Sequence, residues 1–206
     1  MTVATFQNGV SPDAGYAGWI DSSIGYNDND APQDTWDRVF PGWYVTEKRA
    51  LFRIDLSSIP TNAVVTAATF SFLEANYNDG TDKAWLHAIA AHQFVENSAT
   101  WNKYDGSNAW TTPGGDLAAS AAQTGVTVPA DDWAVFGSGG ELNALVQQWI
   151  SYPATNLGFV LGCDASGSPR GRYGVCSSER ATLAHRPKAA ITYTAGILPF
   201  IMQMVG

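Results

Sequence analysis

The run VVTAATFSFLEA (64–75) constrains this chain more than any other stretch. It sets Val65, Ala67, Thr69, Ser71 and Leu73 against Val64, Thr66, Ala68, Phe70 and Phe72. A period of two, carried by β-branched and aromatic residues, is the pattern of a strand, and the second set is the better buried face. Shorter runs of the same kind follow: ALFRIDL (50–56), KAWLHAIAA (83–91), NLGFVLGC (156–163), RYGVCS (172–177) and KAAITYT (188–194). Turn formers separate them. NDGTD (78–82) is expected to close a hairpin between 64–75 and 83–91, because Asn, Asp and Gly tolerate positive φ. One segment departs from this pattern. GELNALVQQWISYP (140–153) spaces Leu142, Leu145, Val146 and Trp149 as a helix does, and Pro153 ends it. Residues 1–194 are therefore expected to form one all-β domain, an antiparallel β-sandwich, with one short helix near 141–150. Leu51, Ile54, Phe70, Phe72, Leu145, Trp149, Phe159 and Leu161 are expected in its core.

The chain has the material for such a core: 45% of its 206 residues are hydrophobic and only 15% are charged. Its net charge is −8. An acidic surface without any Lys/Arg cluster disfavours nucleic acid and anionic membranes as partners. The first residues, MTVATFQNGVSPDAGYAGW, have neither a basic nor a continuous apolar region, so no secretory signal is read there. Cys163 and Cys176 flank DASGSPRG and could face each other across a hairpin. Two buried thiols and a disulfide are both open readings. His87, His92 and His185 show no metal spacing and are read as structural.

No catalytic motif is present, and nothing in the sequence pairs two of Glu74, Glu96, Glu141 and Glu179 as acid and base. The chain is expected not to be an enzyme. The densest polar loop, YNDNDAPQD (26–34), offers Asp28, Asp30 and Asp34 as calcium ligands. It lacks the glycine and closing glutamate of an EF-hand, and a solvated loop of Asx-turns is the other reading. Aromatic residues make up 12% of the chain. Sugars stack their apolar faces on such rings, and Trp36, Trp43, Trp19, Tyr26 and Tyr104 are the candidates for a carbohydrate platform. Trp36 and Trp43 flank the unusual segment DTWDRVFPGWYV and lead that set.

Four blocks, in order, resemble the DNRLRE domains, also called disaggregatase-related repeats. They are RALFRIDLSSIPTNAVVTAATFSF, FVENSATWNKYDGSNAWTTPGGD, LNALVQQWISYPATNLGFVL and CSSERATLAHRPKAAITYT. The resemblance spans about residues 13 to 194. Phe94 and Ile54 depart from it, and the segment after Thr194 has no counterpart in it. It implies a jelly roll similar to carbohydrate-binding modules, extracellular and non-catalytic. It also implies that Trp101 and Trp110 are architectural anchors of the long loop 94–116, with Gly114 and Gly115 supplying unusual backbone angles; a sugar-stacking platform is the other reading of the two tryptophans. Glu179 and Arg186 would flank the last strand as an ion pair.

The segment AGILPFIMQMVG (195–206) is apolar, uncharged and interrupted by Pro199. Its run of about ten residues is too short to span a bilayer, which takes about 20. It is expected to bind another protein chain through Ile197, Leu198, Phe200, Ile201 and Met204. The functional expectation is a structural or adhesive protein on the surface of a large assembly, a phage virion above all, as a decoration, fibre or tail component that also meets surface glycans. The alternative is a secreted bacterial polysaccharide-binding module.

Overall fold

The computed structural model describes residues 1–26, 38–43, 47–78, 83–137, 139–164 and 171–196. Its strands are β1 (Thr2–Phe6), β2 (Trp19–Gly25), β3 (Arg38–Val39), β4 (Gly42–Trp43), β5 (Glu47–Ile54) and β6 (Val64–Asn78). They continue as β7 (Lys83–Ala88), β8 (Gln123–Thr127), β9 (Trp133–Gly137), β10 (Phe159–Cys163), β11 (Gly171–Cys176) and β12 (Lys188–Thr194). Among the described residues one α-helix, α1, spans Gly140–Ser151. All strand pairs are antiparallel.

Two sheets face each other. The first runs β1-β12-β6-β9 and the second β2-β5-β10-β7-β8. The long strand β6 joins them. Its first ten residues pair with β12 and β9, and its last part pairs with β11. Strand β11 in turn pairs with β3 and with β4, and β4 pairs with β5. The architecture is the all-β sandwich with a short helix that the sequence pattern implies.

The inner faces interlock through aromatic rings. Phe159 stacks on Phe70 at 5.3 Å and on Phe52 at 5.6 Å, and Trp149 of the helix lies nearly parallel to Phe70 at 6.4 Å. Phe70 and Phe72 project inward from the predicted face of β6, with Ala68 beside them. Helix α1 buries Leu142, Val146, Trp149 and Ile150, one stripe at helical spacing. Leu145, expected in the core, is only half-buried at the margin of that stripe. The polar side of the helix also has work. Asn143 Oδ1 and Gln147 Oε1, one turn apart, accept the backbone N–H groups of Ala68 and Val65 at 2.8 Å each. Strand β9 pairs only with Thr69–Leu73, so these side chains serve the part of β6 that β9 does not reach.

Strand β7 is not the hairpin partner of β6. It lies in the second sheet between β10 and β8. Both edges of β6 are already taken by β12, β11 and β9. The chain thus passes from one sheet to the other between β6 and β7. Likewise β10 and β11 do not pair with each other. Cys163 sits opposite Ala84 on β7 and Cys176 opposite Arg38 on β3. The two cysteines are not disulfide-bonded: each stands opposite a different partner strand.

The long loop after β7 covers the outer face of the second sheet. Phe94, Ala99, Trp101 and Trp110 form a second apolar cluster with Ile24, Leu51, Ile89 and Val160. This explains why ALFRIDL is apolar without alternating: Phe52 faces the inner core and Leu51 the outer cluster. Gly115, at φ +111°, passes so close to the sheet that a Cβ there would meet Val160 at 3.0 Å and Leu51 at 3.3 Å. Trp110 donates its indole N–H to the Thr100 carbonyl at 2.9 Å.

Candidate functional site

Three polar constellations stand out, and the sequence-nominated residues fall unevenly among them. The first lies beside the loop cluster. Arg49 places its guanidinium 4.8 Å from the Trp101 ring centre and 5.7 Å from that of Trp85. It also donates to Gly114 O at 2.6 Å and to Glu47 Oε1 at 2.8 Å. Tyr26, 58% exposed, meets Trp101 edge-on at 5.6 Å. Further along the loop, His92 stacks flat on Tyr104 at 4.6 Å and bonds through Nδ1 to Asp116 Oδ2 at 2.7 Å. These contacts pin the loop. Tyr104 is half-buried against the cluster with His92 over its ring, while Tyr26 remains open to solvent. His87 is bonded through Nδ1 to Ala118 O at 2.9 Å.

The carbohydrate reading does not hold for Trp19. Its ring is 1% exposed in the main core, edge-on to Phe52, Phe70, Phe72 and Phe159, and its indole N–H donates to Phe6 O. No sugar can reach it. Trp36 and the calcium candidates Asp28, Asp30 and Asp34 lie outside the described residues. Trp43 pairs through its backbone with Glu47 and Gly171, and its side chain lies outside the described residues. So do Ile197, Leu198, Phe200, Ile201 and Met204 of the apolar tail. Among the described residues no group of three His, Cys, Asp or Glu side chains is arranged to hold a metal ion.

The second constellation surrounds Asp21 on β2, an edge strand of the second sheet. Asp21 is fully buried. Its Oδ2 accepts the Ser178 N–H at 2.6 Å, and its own N–H donates to Glu96 Oε1 at 3.1 Å. Glu179 accepts the Ser178 hydroxyl. Burial pushes the Asp21 carboxyl well above the usual carboxylate range, and the Glu179 and Glu96 carboxylates push it further, against the pull of the Ser178 hydrogen bonds. The arrangement latches loop 94–116 and loop 177–187 onto the edge of β2, which protects that edge. Arg186 donates to the carbonyls of Arg180 and Asn8, at 2.7 and 3.4 Å. It therefore holds backbone, while Glu179 belongs to the Asp21 latch.

The third constellation is an open cleft of about 300 Å³ at the rim of the first sheet. It is lined by Glu74 on β6, by Asp131, Asp132 and Trp133 entering β9, and by Arg180 and His185 from the loop before β12. Glu74 is 4% exposed and faces the same way as Phe70 and Phe72. Its Oε2 accepts the Asp131 N–H at 2.8 Å, and its backbone N–H donates to Asp132 O at 3.0 Å. Asp131 holds a positive φ of 55°, an uncommon state for a non-glycine residue. Asp132 Oδ1 accepts the Trp133 N–H at 2.7 Å. Lys188 on β12 lies over the Trp133 ring with Nζ 3.7 Å from its centre. The cleft thus combines an indole, three carboxylates and cationic side chains from three neighbouring strands, β9, β6 and β12, and their loops. Such a set can hold a hydroxyl-rich ligand by stacking and by hydrogen bonds.

Sequence reading did not nominate this cleft. Its residues lie in three segments, 73–75, 131–133 and 176–185, and only the pairing of β9 and β12 with β6 brings them together. DDWAV (131–135) carried the one local signal, two acids against a tryptophan. No family model matches the chain, and comparison with curated proteins finds no similar sequence.

Proposed function

We propose that this protein is a non-catalytic adhesion module. It is a sandwich of DNRLRE type, displayed on the surface of a large assembly such as a phage virion, that holds a glycan in the cleft around Trp133. The observation that carries this reading is the cleft itself. An indole, acceptor carboxylates and an arginine converge on about 300 Å³ of open space at the rim of a rigid sheet. Glu74, the most buried carboxylate there, is tied to the Asp131 N–H, which suits an oriented acceptor better than a proton shuttle. The apolar, uncharged run after Thr194 supports attachment to a partner chain. Among the described residues no helix is long and apolar enough to cross a membrane.

The test is binding and turnover on one panel of soluble polysaccharides. The protein should retain at least one polymer in affinity electrophoresis and release no reducing ends from any of them. Trp133→Ala should weaken retention about tenfold or more, the loss of one stacking contact. Retention that survives Trp133→Ala, or turnover abolished by Glu74→Gln, would refute the reading.

A further inference from the structure

The chemistry of the cleft also indicates which glycans it takes, on the premise that it is the glycan site. We infer that it accepts neutral or amino-substituted sugars and rejects polyuronates. Three of its lining side chains, Glu74, Asp131 and Asp132, are carboxylates. Ionised carboxylates are acceptor-only groups, so a matching ligand must bring donors. Sugar hydroxyls, ammonium groups and amide N–H groups are donors. A uronate brings a second acceptor-only anion.

The surroundings reinforce this. Glu74 is held in place by the Asp131 N–H at 2.8 Å, and Asp132 by the Trp133 N–H at 2.7 Å. Neither acceptor can swing away from an incoming anion without losing that bond. Among the described lining residues Arg180 is the one permanently charged cation. Lys188 is drawn to the face of Trp133, 3.7 Å from the ring centre, so a sugar must stack on the opposite face. The whole chain carries −8, so the long-range field also opposes a polyanion.

The experiment titrates the full chain with three probes of matched length: a chitosan oligomer, a neutral gluco-oligosaccharide and an oligoguluronate. Each is run at 20 mM and 300 mM salt. The chitosan or neutral probe should bind at least tenfold tighter than the oligoguluronate, and the chitosan advantage should shrink at high salt. Asp131→Asn with Asp132→Asn removes two charges and leaves the backbone bonds available. It should narrow the gap between chitosan and oligoguluronate at least fivefold, with an unchanged circular dichroism spectrum. If oligoguluronate binds as well as the other two, or the double variant leaves the ratio unmoved, the inference falls while the glycan site stands. If no probe binds at millimolar concentration, the proposed function falls with it.

Discussion

Replacing Trp101 by Ala tests whether the long loop is part of the folded body or a detachable cover. Trp101 is 5% exposed and sits in the outer cluster with Leu51 and Val160 beneath it. A buried tryptophan removes about 200 Å² from water, worth about 5 kcal/mol at about 25 cal/mol per Å² as an upper bound. Measured Phe or Trp to Ala substitutions in cores cost about 3–5 kcal/mol. Arg49 adds to this. It would lose the nearer of its two rings, at 4.8 Å, and keep Trp85 at 5.7 Å, a loss of about 1 kcal/mol. The cluster lies under a loop, which can close partly over the gap, so the expected cost is about 3–4 kcal/mol. Urea unfolding followed by far-ultraviolet circular dichroism measures it, with Trp101→Phe as a milder variant expected near half that cost. A double-mutant cycle with Arg49→Met isolates the cation–π share. A cost below about 1 kcal/mol for Trp101→Ala, with an unchanged denaturant slope, would refute the reasoning. Trp101 would then be a platform rather than an anchor.

Three other outcomes follow from the same structure. Asp21→Asn should stabilise the protein at pH 7: the folded-state pKa of Asp21 lies well above its ordinary 3.8. The folded chain therefore keeps a proton that the unfolded chain releases, so stability falls as pH rises above that ordinary value and the penalty is complete above the folded pKa. Thermal melts of the two proteins should converge near pH 3, and a variant less stable than the parent at pH 7 would contradict the latch as described. Gly158→Ala should cost about 3 kcal/mol in urea unfolding, because φ is +100° and a Cβ would stand 2.5 Å from Phe52 O. If the apolar run anchors the chain to a larger assembly as proposed, deleting residues 197–206 should leave the melting temperature almost unchanged and abolish incorporation into that assembly, measured by co-sedimentation; a truncated chain that unfolds or still sediments with it would remove the anchoring role.

What could be read without coordinates was whatever a single element decides for itself. The alternation in 64–75 marked Phe70 and Phe72 as core, and the spacing of Leu142, Val146 and Trp149 marked the helix. Both patterns are local, set by which side chains share a face. Pairing is not local. NDGTD has every property of a hairpin turn, yet β7 crosses to the other sheet because β12 and β9 already flank β6. Trp19 looked like a loop aromatic because its neighbours Gly15, Tyr16 and Gly18 read as loop, while its ring inserts among four phenylalanines from three strands. The Asp21 latch and the cleft were invisible for the same reason. Glu96, Asp21 and Glu179 are far apart in the chain, and their meeting at the edge of β2 follows from two loops folding back onto one strand. Leu145 shows the limit even of a sound local pattern, since the stripe on α1 continues to Ile150 and leaves Leu145 at its margin.

The pairing of β1 with β12 decides how this domain would carry mechanical load. Thr2 stands opposite Tyr193 and Phe6 opposite Ala189, so the two outer ends of this pair lie at one pole. Tension applied between those ends would open the pair like a zipper, one rung at a time and at low force. On the proposal that the cleft holds a glycan, tension that enters at Thr194 and leaves through that ligand would take another path. Lys188, which lies over Trp133, is at the far end of β12, so that force runs along all seven residues of the strand. Strand β12 would then have to shear past β1 on one side and β6 on the other, breaking many hydrogen bonds together. Rupture under force follows the unfolding rate rather than the equilibrium stability. A tether attached after β12 and loaded through the cleft would therefore hold far longer than the same domain pulled by its two ends.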